Sequence, residues 1–326
     1  MTSVQEMNTP RPFPTLNRAY NTVFKPDRLS IGLVLPLERY AVGASPDMSR
    51  HVERAQMAEA LGFSALWLRD VPFNVPSFGD VGQIYDPFVY LGTLAACTRD
   101  IALGTASIIL PLRHPAHVSK AAATADVLSG GRVLLGVASG DRPEEYPATK
   151  MSFETRGARF QDSFRYIRDM ARDFPRANHE QGTLSGDMDM LPKPQNGRLP
   201  LLITGGSRQS PDWVAEHGDG WITYPRDPRS QMRVVDDYRH RVTAAGGNSK
   251  PVMQSLYVDV LQDAAADPRP IHLGFSSGAK FLRAYLKEIQ ALGINHVALN
   301  LRFASQDIVT TLQHLASEVL PEFSET

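Results

Sequence analysis

Eight short apolar runs alternate with amphipathic stretches along this chain, and that alternation leaves few folds open to it. The runs fall at residues 30–35, 65–68, 101–109, 133–138, 201–204, 220–224, 254–260 and 296–301. Each has the length and near-continuous hydrophobicity of a strand buried on both faces, as in a parallel sheet. Helical patterns lie between them, at 48–61, 87–97, 115–128, 159–174, 277–292 and 305–319. Eight strands alternating with helices predict an α/β fold, a closed (β/α)8 TIM barrel, in which closure removes the exposed edges of an open sheet. The 326 residues suit one such domain with insertions better than two domains. Residues 1–28, with Pro10, Pro12 and Pro14, read as an extended N-terminal arm, and 29–326 as the barrel domain. The longest interruption, about 140–199, is an insertion after the fourth strand. Loops of that length on a compact barrel are lids or binding segments, and this one follows a strand end, so it covers the carboxyl face.

The charge pattern narrows the partners. A net charge of −1 with interspersed signs gives no basic face for nucleic acid and no polybasic stretch for a lipid surface, which leaves a small molecule. The single cysteine, Cys97, has no partner for an internal disulfide, and its setting in Leu94-Ala-Ala-Cys97 reads as helix packing. The N-terminal residues lack the apolar core of a secretory signal, and no apolar run approaches the roughly 18 residues of a membrane span. A soluble, cytoplasmic protein is expected. The histidines form neither His-x-His nor His-Glu-x-x-His, so no metal site is expected. A dinucleotide-binding Gly-x-Gly-x-x-Gly is also missing, and no hydrolase nucleophile elbow is expected.

Residues 126–140, Asp-Val-Leu-Ser-Gly-Gly-Arg-Val-Leu-Leu-Gly-Val-Ala-Ser-Gly, are the most informative stretch. Gly130 and Gly131 suit the left-handed backbone of a helix C-cap, and 133–138 form a buried strand. Apolar character then stops at Ser139, Gly140, Asp141 and Arg142, at the carboxyl end where barrels place ligands. A second strand end, Leu201-Leu-Ile-Thr204, runs into Gly205-Gly206-Ser207, with Ser210 opening a helix. Backbone amides beside glycine, two hydroxyls and a helix N-terminus together suit a phosphate.

In order and spacing, Leu103-Gly-Thr105, Arg113-His-Pro115, Leu128-Ser-Gly-Gly-Arg132, the run 136–140, Gly205-Gly-Ser207 and His217-Gly-Asp-Gly220 resemble the bacterial luciferase-like monooxygenase family of flavin-dependent oxidoreductases. The resemblance extends from about residue 29 to about 303. It implies a barrel that binds reduced FMN and oxidises a small organic substrate with oxygen, the reduced flavin coming from a separate reductase. Two alternatives stay open on the same fold: a dehydrogenase or reductase using the deazaflavin F420, and a non-catalytic flavin-binding protein. By resemblance Gly205, Gly206, Ser207 and Ser210 would hold the cofactor phosphate. Ser139 stands where relatives often carry arginine, so Arg142 or Arg156 would supply the charge. Ala106, Ser107 and Ala138 would lie along the flavin ring, and some relatives hold a non-prolyl cis peptide at 106–107. Two departures stand out. Gly157 replaces a tyrosine, and Val71-Pro72 replaces an acidic residue followed by a histidine that lies near the reactive edge in relatives. Asp70 and His114 are then the candidate catalytic groups. Phe73, Phe78, Tyr85, Met188 and Met190 suggest an apolar pocket. The resemblance also implies a homodimer through helices 86–97 and 115–128, which are apolar over more of their circumference than packing on a barrel needs.

Overall fold

The computed structural model describes residues 12–324. Eight parallel strands close into a barrel: β1 (Ser30–Val34), β2 (Ala65–Leu68), β3 (Ala102–Ile109), β4 (Val133–Ala138), β5 (Leu201–Thr204), β6 (Gly220–Thr223), β7 (Val252–Val260) and β8 (His296–Asn300). Each pairs with the next in chain order, and β8 pairs with β1 to complete the ring. The eight apolar runs are these eight strands. Side chains alternate along each one. Leu66, Leu103, Leu135, Ile203 and Leu299 point outward into the layer shared with the helices. Ala65, Trp67, Ala102, Leu134, Leu202, Ile222, Met253 and Ala298 point into the barrel.

The expected arm is different from Leu16 onward, and its residues 1–11 lie outside the described residues. Helix α1 (Arg18–Val23) plugs the amino-terminal mouth, with Leu16, Ala19, Tyr20, Val23 and Phe24 packed on the inward side chains. Asn17 caps it: its carbonyl accepts from Tyr20 N at 3.0 Å, while its amide donates to Asp126 Oδ1 at 3.0 Å and Val133 O at 2.8 Å. Tyr20 donates its hydroxyl to Asp219 O at 2.7 Å. Above the plug, Trp67 Nε1 donates to His296 Nε2 at 2.8 Å, so Nδ1 carries the proton and donates to Ser30 Oγ at 2.7 Å. Ser30 in turn donates to Val23 O.

The outer ring comprises α2 (His51–Ala60), α3 (Pro87–Cys97), α4 (Pro115–Ser129), the short α5 (Glu145–Ala148), α6 (Arg156–Asp169), α7 (Pro211–His217), α8 (Pro228–Ala244), α9 (Ala279–Ala291) and α10 (Ile308–Glu318). Gly130 ends α4 at φ 68°, as the double glycine predicted. Arg132, the last residue of that motif, is buried and donates to Ala95 O, Thr98 O, Thr98 Oγ1, Ile101 O and Ser129 O, tying the ends of α3 and α4 to β3. The insertion holds α5, α6 and a polar hairpin, Arg176–His179 with Gly182–Ser185. Sequence periodicity misses that hairpin, a second one at Arg269–Ile271 and Gly274–Ser277, and α8.

Much of the apolar surface of α4 is covered within the chain. It packs on α3 and α6, and Ala116 lies against the insertion cluster of Tyr166, Met170 and Leu184. Val89 on α3 and Leu128 on α4 stay 71% and 67% exposed. Among the described residues no helix is long and apolar enough to cross a membrane.

Burial pushes His296 down to about 3 from its ordinary 6.5. The unfolded chain therefore takes up a proton that the folded one refuses, and stability falls as pH drops from about 6.5 towards 3. Between pH 7.5 and 5 this group should cost the wild type about 2 kcal/mol. Urea titrations at both pH values should show a loss smaller by that amount in His296→Gln, and equal losses in the two proteins would contradict the assignment.

Candidate active site

Alternation does not stop where the strands end. The inward register of β2, β4, β5 and β7 delivers Arg69, Ala138, Thr204, Ser255 and Tyr257 to a cavity of about 610 Å³ at the carboxyl mouth. That is a volume suited to a small molecule with a cofactor. On β3 the pairing with β4 shifts between Thr105 and Ile108, and the Ala106–Ser107 peptide is cis. Both residues line the cavity, and Ser107 Oγ hydrogen-bonds Thr204 Oγ1 across it. Gly136 is required on β4 because a Cβ there would sit 1.9 Å from Thr105 O, just before the shift. Ala138 and Ser139 line the same wall, and Tyr146 pins the strand end by donating to Ser139 O.

One end of the cavity is built for an anion. Gly205 donates its amide to Ile222 O, and the chain then turns through Ser207 (φ 45°) and Arg208 (φ 62°). Among the described residues the amides of Gly206, Ser207 and Arg208 have no hydrogen-bond acceptor. Left-handed non-glycine residues in succession are costly and concentrate at functional sites. Gly205, Gly206, Ser207 and Arg208 all line the cavity. Arg156, 9% exposed at the start of α6, lines it too. Its guanidinium lies 3.4 Å from the Phe153 ring centre, Nη1 donates to Phe153 O, and Nε is buried without a partner. Arg208 makes no ion pair or hydrogen bond among the described residues. Its Cβ would be 2.9 Å from a Cβ at Gly157, so it takes the room of the tyrosine that the family pattern expects there.

The two serines contribute less than their hydroxyls suggested. Ser207 Oγ donates to Thr204 O at 2.8 Å. Ser210 lies outside the cavity lining and caps α7, its Oγ accepting from Trp213 N at 3.2 Å. Its position at a helix start is what made it look like an anchor, and capping uses that same position.

Both candidate catalytic groups are committed elsewhere. Asp70 borders the cavity, but its carboxylate accepts from Ile109 N at 3.0 Å and from Arg113 Nε and Nη2 at 2.8 and 2.7 Å. Arg113 also donates to Asp86, the cap of α3. His114 is exposed and away from the cavity lining. As the cap of α4 its Nδ1 accepts from Ala116 N, so Nε2 holds the proton and donates to Gln181 O in the insertion. Val71 lines the cavity beside Asp70, and among the described residues no histidine does.

Arg142 lines the cavity, yet its guanidinium is on the side away from Gly205–Arg208. It reaches over β3 to the loop 71–86, where it lies 4.7 Å from the Phe78 ring centre and donates to Asp80 O. Asp80 is the hub of that side. Its carboxylate accepts from Arg69 Nη1 (2.6 Å), Tyr40 Oη (2.8 Å), Gly82 N (2.9 Å) and Tyr257 Oη (3.3 Å), and pairs with Arg302 Nη1 at 3.2 Å. The surrounding guanidinium groups hold it well below the usual carboxylate range. Arg69, Arg208, Tyr224, Tyr257 and Leu273 are lining residues that sequence reasoning missed. Arg69 and Tyr257 were findable, since each continues the inward alternation of a recognised strand.

Comparison with known proteins agrees with this geometry. The chain matches the model of a family described as luciferase-like monooxygenase over residues 30–297. It is 28% identical over 230 residues to an uncharacterised protein of Mycobacterium tuberculosis, covering 65% of this chain and 80% of that one. It is 25% identical over 201 residues to the alkanal monooxygenase alpha chain of Photorhabdus luminescens, covering 59% of this chain and 54% of the other. In structure it resembles an F420-dependent secondary alcohol dehydrogenase with a TM-score of 0.75 at 18% identity, over 91% of this chain and 100% of that one.

The ion pair at Asp70 yields a direct check. Asp70→Asn should lower folding stability by roughly 2 to 4 kcal/mol, because Arg113 loses a buried counter-charge. Chemical denaturation reads this. Unchanged stability together with abolished turnover would return Asp70 to a catalytic role.

Proposed function

Since the chain belongs to the luciferase-like monooxygenase family, we propose that it binds reduced FMN in the carboxyl-end cavity and uses it to oxygenate a small organic substrate. The observation that carries this reading is the anion cradle: three successive free amides at 206–208, a free Arg208, and a buried Arg156 Nε that lacks a partner. A buried donor with no acceptor asks for a ligand, and a phosphate dianion supplies the oxygens. Arg156, Arg208 and the backbone of Gly206 and Ser207 would hold the phosphate. Ala106, Ser107, Ala138 and Ser139 would form the surface on which the ring lies. When bound, reduced FMN supplies two electrons to molecular oxygen, with one oxygen atom entering the substrate and the other leaving as water.

The protein's own part is to orient and to exclude water. Asp70 acts as a positioning residue, holding Ile109 and the loop before α4 through Arg113, so that the end of β3 keeps its shape. The Asp80 hub fixes the loop 71–86 as a wall. Burial raises the Tyr257 hydroxyl above its ordinary range, so this group stays a neutral donor. No reductase motif is visible in the sequence, and reduced flavin would come from a separate enzyme. The structural likeness to an F420-dependent enzyme makes F420 the second cofactor to test.

Titration with FMN and with F420 separates the readings. FMN should bind the wild type, and Arg156→Gln with Arg208→Gln together should weaken it by about 2 to 3 kcal/mol, from the loss of two charge-assisted bonds. Binding of F420 alone would replace FMN in this proposal, and binding of neither would end it. Turnover of reduced flavin with a substrate panel separates an enzyme from a flavin carrier.

We also propose a homodimer through α3 and α4, on which Val89 and Leu128 are exposed, with Ile84 and Tyr85 exposed in the loop before α3. A stable interface should exceed roughly 1,000 Å². Sedimentation at micromolar concentration should give twice the 36.0 kDa chain mass, and a monomer would refute it.

A further inference from the structure

The side of the cavity opposite the phosphate cradle carries positive charge that the proposed reaction leaves unused. Arg69 from β2 and Arg142 from the end of β4 line it, and they are joined by Arg302, which follows β8 and is buried outside the cavity lining. The three guanidinium groups meet at Asp80. Arg69 and Arg302 share its carboxylate, while Arg142 receives only its main-chain carbonyl. The remaining bonds of Arg302 go to carbonyls, those of Tyr40, Ala41 and Gly79. Other acids nearby do not balance the account. Asp70 is taken by Arg113, and Asp141 is exposed at the rim. Glu145, near Arg142, is buried, and desolvation pushes its carboxyl up to about 7, disfavouring its charged form.

Arg69 Nε and Arg142 Nη1 are buried without a hydrogen-bond partner. Two orphaned donors on one wall, beside an uncompensated charge, are what a bound anion relieves. Apolar and aromatic residues accompany them: Val71, Leu273 and Tyr257 line the cavity, and Phe78 lies under the Arg142 guanidinium.

We propose that Arg142 and Arg69 form a second anion subsite that recognises a carboxylate on the substrate, so that the enzyme acts on small, largely apolar carboxylic acids. The word substrate here rests on the flavin-dependent reading above; the subsite itself does not.

Calorimetry with benzoate and its neutral isostere benzamide tests this, on the purified protein with and without FMN. Benzoate should bind at least about tenfold more tightly than benzamide, as expected for a charge-assisted contact. Arg142→Gln should weaken benzoate about tenfold to a hundredfold and leave benzamide unchanged, with Arg142→Lys in between. Arg156→Gln should weaken FMN and spare benzoate. Equal affinity for the two probes, no benzoate binding at millimolar concentration, or loss of benzoate in Arg156→Gln but not in Arg142→Gln would each overturn the proposal. Benzoate binding that depends on Arg142 in a protein that fails to bind FMN would keep the subsite and remove the flavin reading.

Discussion

The inside of an eight-stranded barrel is narrow, and one large side chain decides how the rest of it is filled. Here Trp67 takes that room. Its ring lies where a Cβ on Gly104 would fall, 2.3 Å from Cε3, and Gly32 leaves space for His296, which accepts a hydrogen bond from the indole N–H. With Trp67, His296 and the α1 plug filling the lower half, the inward positions above them carry Ala106, Ala138, Thr204 and Ser255. The cavity is the volume those small residues leave. A chain with bulky residues at the same register would have a packed core and no site, as the filled layers of other barrels show. The plug also closes the amino-terminal mouth, so that a ligand reaches the cavity from the carboxyl side.

Charge at that mouth is organised as scaffold first. Asp70 joins β2 to β3 and α3 through Arg113, and Asp80 joins the loops after β1, β2 and β8 to strand β7. Breaking one partner of such a buried pair is strongly destabilising, which suits carboxylates whose work is to hold loops in place. Because both acids are used this way, the charge left facing the cavity is cationic. The same arrangement that rigidifies the walls therefore sets the sign of what binds between them.

The barrel was legible because parallel strands buried on both faces leave continuous apolar runs, and all eight were read within a few residues. The α1 plug was not. It is a six-residue helix behind several prolines, and it is held by Asn17 and Tyr20 reaching partners more than a hundred residues away. Such a helix has no periodic signal of its own. The insertion hairpin offers only Ala177 and Leu184 as apolar residues, too few for a periodic signal, and was equally silent. At the site, the Gly205-Gly206-Ser207 turn was found from residue type, because a phosphate cradle needs backbone amides. Side-chain direction was not accessible in the same way. Ser210 and His114 sit at helix starts, and both proved to be caps. Asp70 was read as a candidate catalytic group without its partner Arg113, which lies 43 residues on. Arg208 follows the glycine turn directly and was passed over for Arg142, whose side chain crosses to the other wall.

The Val71-Pro72 departure gains meaning from this geometry. Where relatives place an imidazole, this chain has an apolar side chain, and the polar groups near it are spoken for. Ser107 is bonded to Thr204, and Tyr257 faces Asp80. None of these groups changes charge near neutral pH as an imidazole does. On the proposed reading, proton transfer at the reactive face falls to substrate or solvent, and the protein acts through placement alone. Placement by binding energy works only if the substrate offers a strong handle far from the reacting atom. A cationic wall opposite the phosphate cradle is such a handle, and it gives the loss of the histidine and the surplus of arginine a single physical rationale.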